Sequence, residues 1–186
     1  MPMLDITIPE DALSPQAETA LLGRLTDLLL LHEGVDPANP AARLLAKVFV
    51  HRPARLFVAG QPATAPHYRV VASVPEGQYD DQRRSAMVAA VTQAVLDAEE
   101  GLRPRDAMRV WVFASEVPEG TWGGNGRIHG LADITGFVLG DAERGRQYAE
   151  RRLAARRFRR DPSPTKPEQA AVPLPETVSA PIPASP

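Results

Sequence analysis

The chain contains no cysteine, which excludes disulfides, thiolate nucleophiles and zinc–thiolate sites and fits a reducing compartment. Its four histidines, His32, His51, His67 and His129, are scattered and show no metal-ligand spacing. Charge of neither sign prevails: 21 basic against 23 acidic residues give a net charge of −2, which names no polyanionic or polycationic partner. Long hydrophobic runs are also missing. The most apolar stretch, Leu21 to Leu31, is broken by Gly23, Arg24, Thr26 and Asp27, so it cannot span a bilayer. The opening MPMLDITIPE lacks the basic and apolar regions of a secretory signal, and a cytoplasmic location is expected.

What is present is the composition of a soluble globular protein: 186 residues, 44% hydrophobic and 24% charged, enough for one domain with its own core. Leu4, Ile6 and Ile8 alternate with Asp5 and Thr7, the period of a half-buried strand. A helix follows, with Ser14 as N-cap, Pro15 at its first position, Leu21, Leu25, Leu28 and Leu29 on its apolar face, and Gly34 as its stop. Lys47-Val-Phe-Val50 is short and β-branched and reads as a second strand.

The same order then repeats. Arg69 to Val74 is strand-like; Asp80 or Asp81 caps a helix carrying Met87, Val88, Val91, Ala94 and Val95, closed by Gly101; Arg109-Val-Trp-Val-Phe113 matches the earlier second strand. The predicted fold is therefore α/β (α+β): two tandem βαβ units, 1–66 and 67–140, forming a four-stranded sheet with two helices on one face. Val48, Val50, Val110 and Val112 look too apolar for a solvated sheet face, so self-association is expected to cover them. Residues 141–160 read as a basic helix with eight arginines against three acids. Tyr148 and Phe158 form no base-stacking platform, so this helix is read as solvated or packed in an oligomer rather than as a nucleic-acid or membrane contact. Residues 161–186 are too rich in proline and too poor in large apolar residues to fold, and read as a disordered tail.

Pro2 is the residue with the clearest chemical potential. Small second residues permit removal of Met1, which leaves a secondary amine as the chain terminus. An α-amino group titrates near about 8, and burial or a nearby cation lowers that value, so a neutral amine can serve as a general base at neutral pH. The GGNGR segment is not followed by GK[ST], and turn chemistry rather than phosphate binding explains its glycines.

Taken in order, PMLDITIPE, the capped helix and KVFV, then VPEGQYDDQRR and RVWVFASEVPEGTWGGNG, resemble the tautomerase superfamily over residues 2 to about 137. The match is to fused two-unit proteins of the 4-oxalocrotonate tautomerase and macrophage migration inhibitory factor type. The resemblance implies a cofactor-free and metal-free isomerase, working on a small keto or enol acid and assembled as a homotrimer. It implies that Pro2 is the catalytic base, that Arg109 binds the substrate carboxylate and polarises its carbonyl, and that Lys47 holds the equivalent place in the first half. Trp122 falls near an aromatic pocket residue of the family, and Arg43 and Arg127 are candidates to complete an anion site. A guanidinium can grip a carboxylate through two parallel hydrogen bonds, and an aromatic wall keeps an amine dry.

Several positions depart from the family pattern. Asp11 and Gln78 stand where an arginine for a distal carboxylate would lie, which argues against a dicarboxylate substrate. Tyr68 stands where the second half would need its own proline, leaving one proline site per chain. Hydration or dehalogenation of an unsaturated acid, with a protonated Pro2 as acid, is a rival reading. A non-catalytic binding module on the same fold is another.

Overall fold

The structure, a computed structural model, describes residues 3–160, with side chains as far as residue 157. Pro2 and the 161–186 segment lie outside the described residues. The chain forms β1 (Met3–Thr7), α1 (Pro15–Glu33), α2 (Pro40–Leu45), β2 (Lys47–His51) and a short hairpin, β3 (Phe57–Val58) and β4 (Gln61–Pro62). The second half brings β5 (Tyr68–Pro75), α3 (Asp81–Ala98), a 3-10 turn (Ala107–Arg109) and β6 (Val110–Val117). A hairpin of β7 (Gly123–Gly124) and β8 (Arg127–Ile128), then α4 (Leu131–Leu139) and α5 (Ala142–Arg160), complete it.

Local chemistry sets the helix boundaries. The Ser14 hydroxyl accepts from the Ala17 amide at 3.1 Å, and Gly34 ends α1 in the left-handed region at φ 83°, where its lack of a Cβ carries no penalty. In the second half Asp80, not Asp81, is the cap, accepting from the Arg83 amide at 2.8 Å.

The four long strands form one sheet in the order β2-β1-β5-β6. Within each half the strands are parallel, while β1 and β5 pair antiparallel across the middle. Two parallel βαβ units joined head to tail in this way place the starts of β1 and β2 at one end of the sheet, and the starts of β5 and β6 at the other. Both α1 and α3 pack on one face, where Leu21, Leu25 and Leu29 meet Met87, Val91 and Val95 over Leu4, Ile6, Val70 and Ala72.

The identity of the open face corrects the sequence expectation. Val48, Val50 and Val112 pack against the core, and Val110 belongs to it, because the register places Val48 opposite Leu4, Val50 opposite Ile6 and Val112 opposite Val70. Successive strand residues point to opposite faces, so the helix-free face instead carries Phe49, Trp111 and Phe113. These are 50%, 62% and 43% exposed, and Arg69 stacks its guanidinium 5.5 Å from the Phe113 ring centre.

Beyond the sheet, α4 and α5 form a helical hairpin so close that a Cβ on Gly145 would lie 2.4 Å from the Gly136 backbone. The basic helix α5 uses part of its charge on its own domain. Arg152 donates to the Gly77 and Gln78 carbonyls at 2.7 and 2.8 Å, the Tyr148 hydroxyl donates to the Gln78 side-chain carbonyl at 2.9 Å, and Arg156 pairs with Glu116 at 3.0 Å. No described helix is long and apolar enough to cross a membrane.

Candidate active site

Because α1 returns antiparallel to β1, its last turn comes back to the end of the sheet where β1 and β2 begin. Met3 pairs there with Lys47 of β2 and with Ser73 of β5. Just past these partners the walls of a cavity begin: Leu45 precedes β2, and Gln78 follows β5. The cavity has a volume of about 270 Å³, and Leu30, Glu33, Ile134 and Tyr148 also line it. A second, larger groove of about 650 Å³ shares Leu45 and Ile134 with it, and is lined further by Arg127, His129, Asp133 and Arg146. Two adjoining concavities, one mainly apolar and one carrying cations, thus meet at the end of the sheet where the chain begins.

Glu33 is the unexpected member. Only 4% of it is exposed, and its Oε1 has no hydrogen-bond partner. Burial disfavours the charged form and pushes its carboxyl up from the ordinary 4.5 to about 8. Gln78, noted in the sequence as a departure, is also buried here, fixed by Tyr148 and by the Arg152 and Arg83 contacts to its carbonyl. Nothing in the composition of α1 marks Glu33, which sits at its C-terminus. Residues of α2, α4 and α5 line the same cavity.

The sequence-derived candidates divide between the two ends of the sheet. Lys47 opens β2 beside Met3, exposed, its ammonium donating to the Leu44 carbonyl at 2.8 Å. Arg127 lines the larger groove, and no ion pair engages its guanidinium among the described residues. It stands on a hairpin whose turn residues Asn125 and Gly126 have φ of 50° and 75°, the conformation a tight two-residue turn requires. Trp122 is half-buried ahead of that hairpin; its carbonyl accepts from the His129 amide at 2.9 Å, and it lines neither cavity. Arg43 is on the same side but engaged, with its guanidinium 2.5 Å from Asp27 and 2.9 Å from the Pro37 carbonyl.

Arg109 lies at the opposite end. It precedes Val110, which pairs with Tyr68, five residues along β5 from Ser73, so roughly 17 Å of sheet separates it from Met3. Its guanidinium forms two hydrogen bonds of 2.6 Å to Glu99 and donates to the Pro66 and Pro104 carbonyls, and it is 5% exposed. Tyr68 completes the cluster, donating to Glu99 at 3.0 Å. Burial works to raise the Glu99 carboxyl, but the hydrogen bonds from Arg109 and Tyr68 hold it below its usual range; the Glu99 bonds in turn raise Arg109. Both terminal nitrogens of this guanidinium are engaged within the protomer, and Arg109 lines neither of the two adjoining cavities. Among the described residues no three histidine, aspartate or glutamate side chains gather as a metal site.

The backbone arrangement matches solved structures of one kind. Pt0534 inactivated by 2-oxo-3-pentynoate is 24% identical with a TM-score of 0.55, covering 68% of this chain and 94% of that one. A fused 4-oxalocrotonate tautomerase solved as a symmetric trimer gives the same identity, TM-score and coverage. The chain has the tautomerase fold. A member of the cis-3-chloroacrylic acid dehalogenase family, 19% identical, also shares it, with a TM-score of 0.55 over 68% of this chain and 82% of that one. No family model matches the sequence, and no curated protein does. The tautomerase fold therefore accounts for about two thirds of the chain, and its likeness to both tautomerases and a dehalogenase leaves the reaction to be argued from the site.

Proposed function

We propose that this protein moves a proton on small monocarboxylic 2-keto or enol acids, with the Pro2 amine as general base. The supporting observation is where β1 starts. Met3, the residue that follows Pro2 in the sequence, opens β1 at the sheet end where Leu45 and Gln78 begin the wall of the cavity. In this reading the neutral amine takes a proton from carbon, the electron pair moves into the carbonyl as an enolate, and the resulting ammonium returns the proton to carbon. Arg127 holds the carboxylate in the larger groove, and Lys47, at the start of β2, is the second candidate cation of that sheet end. Arg109 is assigned a structural role instead, since its two strong bonds to Glu99 would have to break before it met a substrate. Trp122, which lines neither cavity, and Arg43, held by Asp27 and the Pro37 carbonyl, are given no contact with the reacting atoms.

Self-association belongs to the same reading. The helix-free face bearing Phe49, Trp111 and Phe113 is the surface a trimer would cover, and a trimer is the state in which a fused neighbour was solved.

The test combines mass and rate. The purified protein is expected to lack Met1, to ketonise phenylenolpyruvate, and to gain one adduct on Pro2 with 2-oxo-3-pentynoate, the compound that inactivates Pt0534. Pro2→Ala should lower kcat/KM by roughly 100-fold or more. Retained Met1, or full activity in Pro2→Ala, rejects the proposal. An amine titrating clearly above the ordinary value of about 8 would favour the dehalogenase-like reading, with Pro2 as acid.

A further inference from the structure

Two buried polar side chains line the same cavity with hydrogen-bonding capacity left over. Glu33 is 4% exposed, and its Oε1 has no partner. Gln78 is 3% exposed; its Oε1 accepts from the Tyr148 hydroxyl at 2.9 Å, while no described group accepts from its Nε2. The Tyr148 bond fixes which way the carboxamide turns its oxygen, so the NH2 is what Gln78 offers to the cavity it lines. Buried polar groups in native structures are paired, so two with spare capacity around one cavity call for an occupant.

The remaining polar walls are engaged. Asp36 and Asn39 accept from the Ala38 and Ala42 amides at 2.8 and 3.0 Å, Asn39 also donates to the Val138 carbonyl, and Thr135 donates to the Leu131 carbonyl. Glu116 Oε2 also accepts no hydrogen bond, but an Arg156 nitrogen lies 3.0 Å from it and Glu116 is not among the lining residues. Among the described residues no lysine, arginine or histidine lines the cavity, and Leu30, Val35, Leu45, Ile134, Val138 and Leu139 make the rest of it apolar. A dry cavity of about 150 Å³ with walls of this kind holds benzene. The volume here, about 270 Å³, admits a six-membered ring with a group attached.

The donors decide the group. Burial keeps the Glu33 carboxyl protonated at neutral pH, so it brings one O–H donor, and the Gln78 NH2 brings two N–H donors. A carbonyl oxygen has two lone pairs and no hydrogen of its own to place, which suits such a set. A carboxylate would find no cation in these walls, and an ammonium would meet the Gln78 donors. We propose that this cavity is a binding site for an uncharged carbonyl group on an apolar, ring-sized body, the oxygen accepting from Gln78 and Glu33. The site goes beyond the proline reading and requires nothing of Pro2.

The charged and titratable groups near Glu33 leave its acid form in place. Burial, and after it Arg83, lowers the His32 pKa, and Arg83 itself donates to the Gln78 main-chain carbonyl at 3.3 Å. Tyr79, whose ionisation is disfavoured by burial and then by Glu33, donates to Met87, and Lys47 is bonded to the Leu44 carbonyl. The positive amino end of the chain opposes burial at Glu33, yet the carboxyl still stands at about 8.

The test titrates the full-length protein with cyclohexanone, followed by 1H–15N NMR, in wild type, Glu33→Gln and Gln78→Met. Saturable shifts are expected at the amides of Leu30, Val35 and Val138. Wild-type affinity should fall about threefold or more between about pH 6 and about pH 9.5, as Glu33 ionises and its O–H is lost. Glu33→Gln keeps a donor and should bind with an affinity independent of pH. Gln78→Met removes the other donor and should weaken binding about fivefold at either pH. Wild-type affinity that ignores pH, or an unaltered affinity in folded Gln78→Met, overturns the inference. So does the absence of saturable shifts, the result expected if water alone fills the cavity. Tighter binding of cyclohexylammonium than of cyclohexanone also overturns it, because it would mark Glu33 as an ionised acid. Should Gln78→Met fail to fold, Gln78→Glu keeps an oxygen for Tyr148 and replaces the NH2 donor; weaker binding is again expected, and unchanged affinity overturns the inference. Full activity of Pro2→Ala, by contrast, rejects the proline reading and leaves these affinities as they are.

Discussion

The two ends of the sheet each bury an acid and treat it in opposite ways. At the end where β5 and β6 start, Glu99 accepts two bonds of 2.6 Å from Arg109 and one of 3.0 Å from Tyr68. At the end where β1 and β2 start, Glu33 is buried to the same degree beside a cavity, with Oε1 unpartnered. The halves are built to one plan, so the difference is not a matter of fold. At the first end the segment ahead of β5 supplies the Pro66 carbonyl that Arg109 meets; at the other, a mainly apolar cavity lies beside Glu33. A closed network stabilises, whereas an unsatisfied acid beside a cavity stores free energy for use with something that enters or lies next to it.

The largest effect should come from breaking the closed end. Arg109→Leu leaves Glu99 and Tyr68 buried without their partner and should cost about 3–5 kcal/mol, read as a lower urea midpoint. The molecules that still fold should keep a near-normal kcat. A stable Arg109→Leu protein with greatly reduced turnover would mean that this arginine serves a site after all, and the contrast between the ends would fail.

Acid and base should act on the two ends with opposite sign. The Glu33 carboxyl titrates at about 8 folded against 4.5 unfolded, so the folded state retains a proton that the unfolded chain releases between these values. The stability this group contributes is complete below about pH 4.5 and is lost as the pH rises through about 8. Glu33→Gln should therefore flatten the fall in stability across that window by about 2–4 kcal/mol, measured by urea unfolding at pH 5 and pH 8.5. Glu99 works the other way. Its carboxyl is held low, so its contribution is present above the unfolded value and disappears as the pH drops through the folded one. Identical pH dependence in wild type and Glu33→Gln would show that the open end carries no such strain.

The smallest effect on stability is expected from the exposed cation of the open end. Arg127→Ala should shift the unfolding free energy by no more than about 0.5 kcal/mol, while raising KM for a keto acid about tenfold with kcat little altered. A fall in kcat with KM unchanged would place Arg127 in the chemical step rather than in carboxylate binding.

Much of the architecture was legible because it rests on short-range chemistry. Ser14, Pro15 and Gly34 bracket α1 by satisfying or releasing backbone groups within a turn of themselves, and such signals survive any tertiary setting. The pairing of strands within each half follows from the βαβ connection, which allows only parallel neighbours. The outward face was misread for a physical reason. In Lys47-Val-Phe-Val50 and Arg109-Val-Trp-Val-Phe113 both alternating sets are apolar, so period two supplies no contrast and only the register against Leu4, Ile6 and Val70 separates them. The candidate site was partly legible. The spacing named Lys47, Arg127 and Arg109 together, but Lys47 and Arg127 stand at the end where β1 starts and Arg109 at the other, because antiparallel pairing of β1 with β5 sends the start of the second half to the far side.

What the amino-acid order settled by itself was local: the caps, the strand–helix–strand rhythm of each half, and a proline positioned one residue ahead of the first strand. Only the three-dimensional arrangement decided that Glu33 is buried and unpaired, that Gln78 and Tyr148 face it across a cavity, and that Arg109 is spent on Glu99. The reason is range. A cap or a turn is satisfied by atoms a few bonds away, whereas burial and charge pairing depend on which distant segments come to lie over a residue. In this chain α2, α4 and α5 supply other walls of the cavity that Glu33 lines, and no pattern near Glu33 announces their approach.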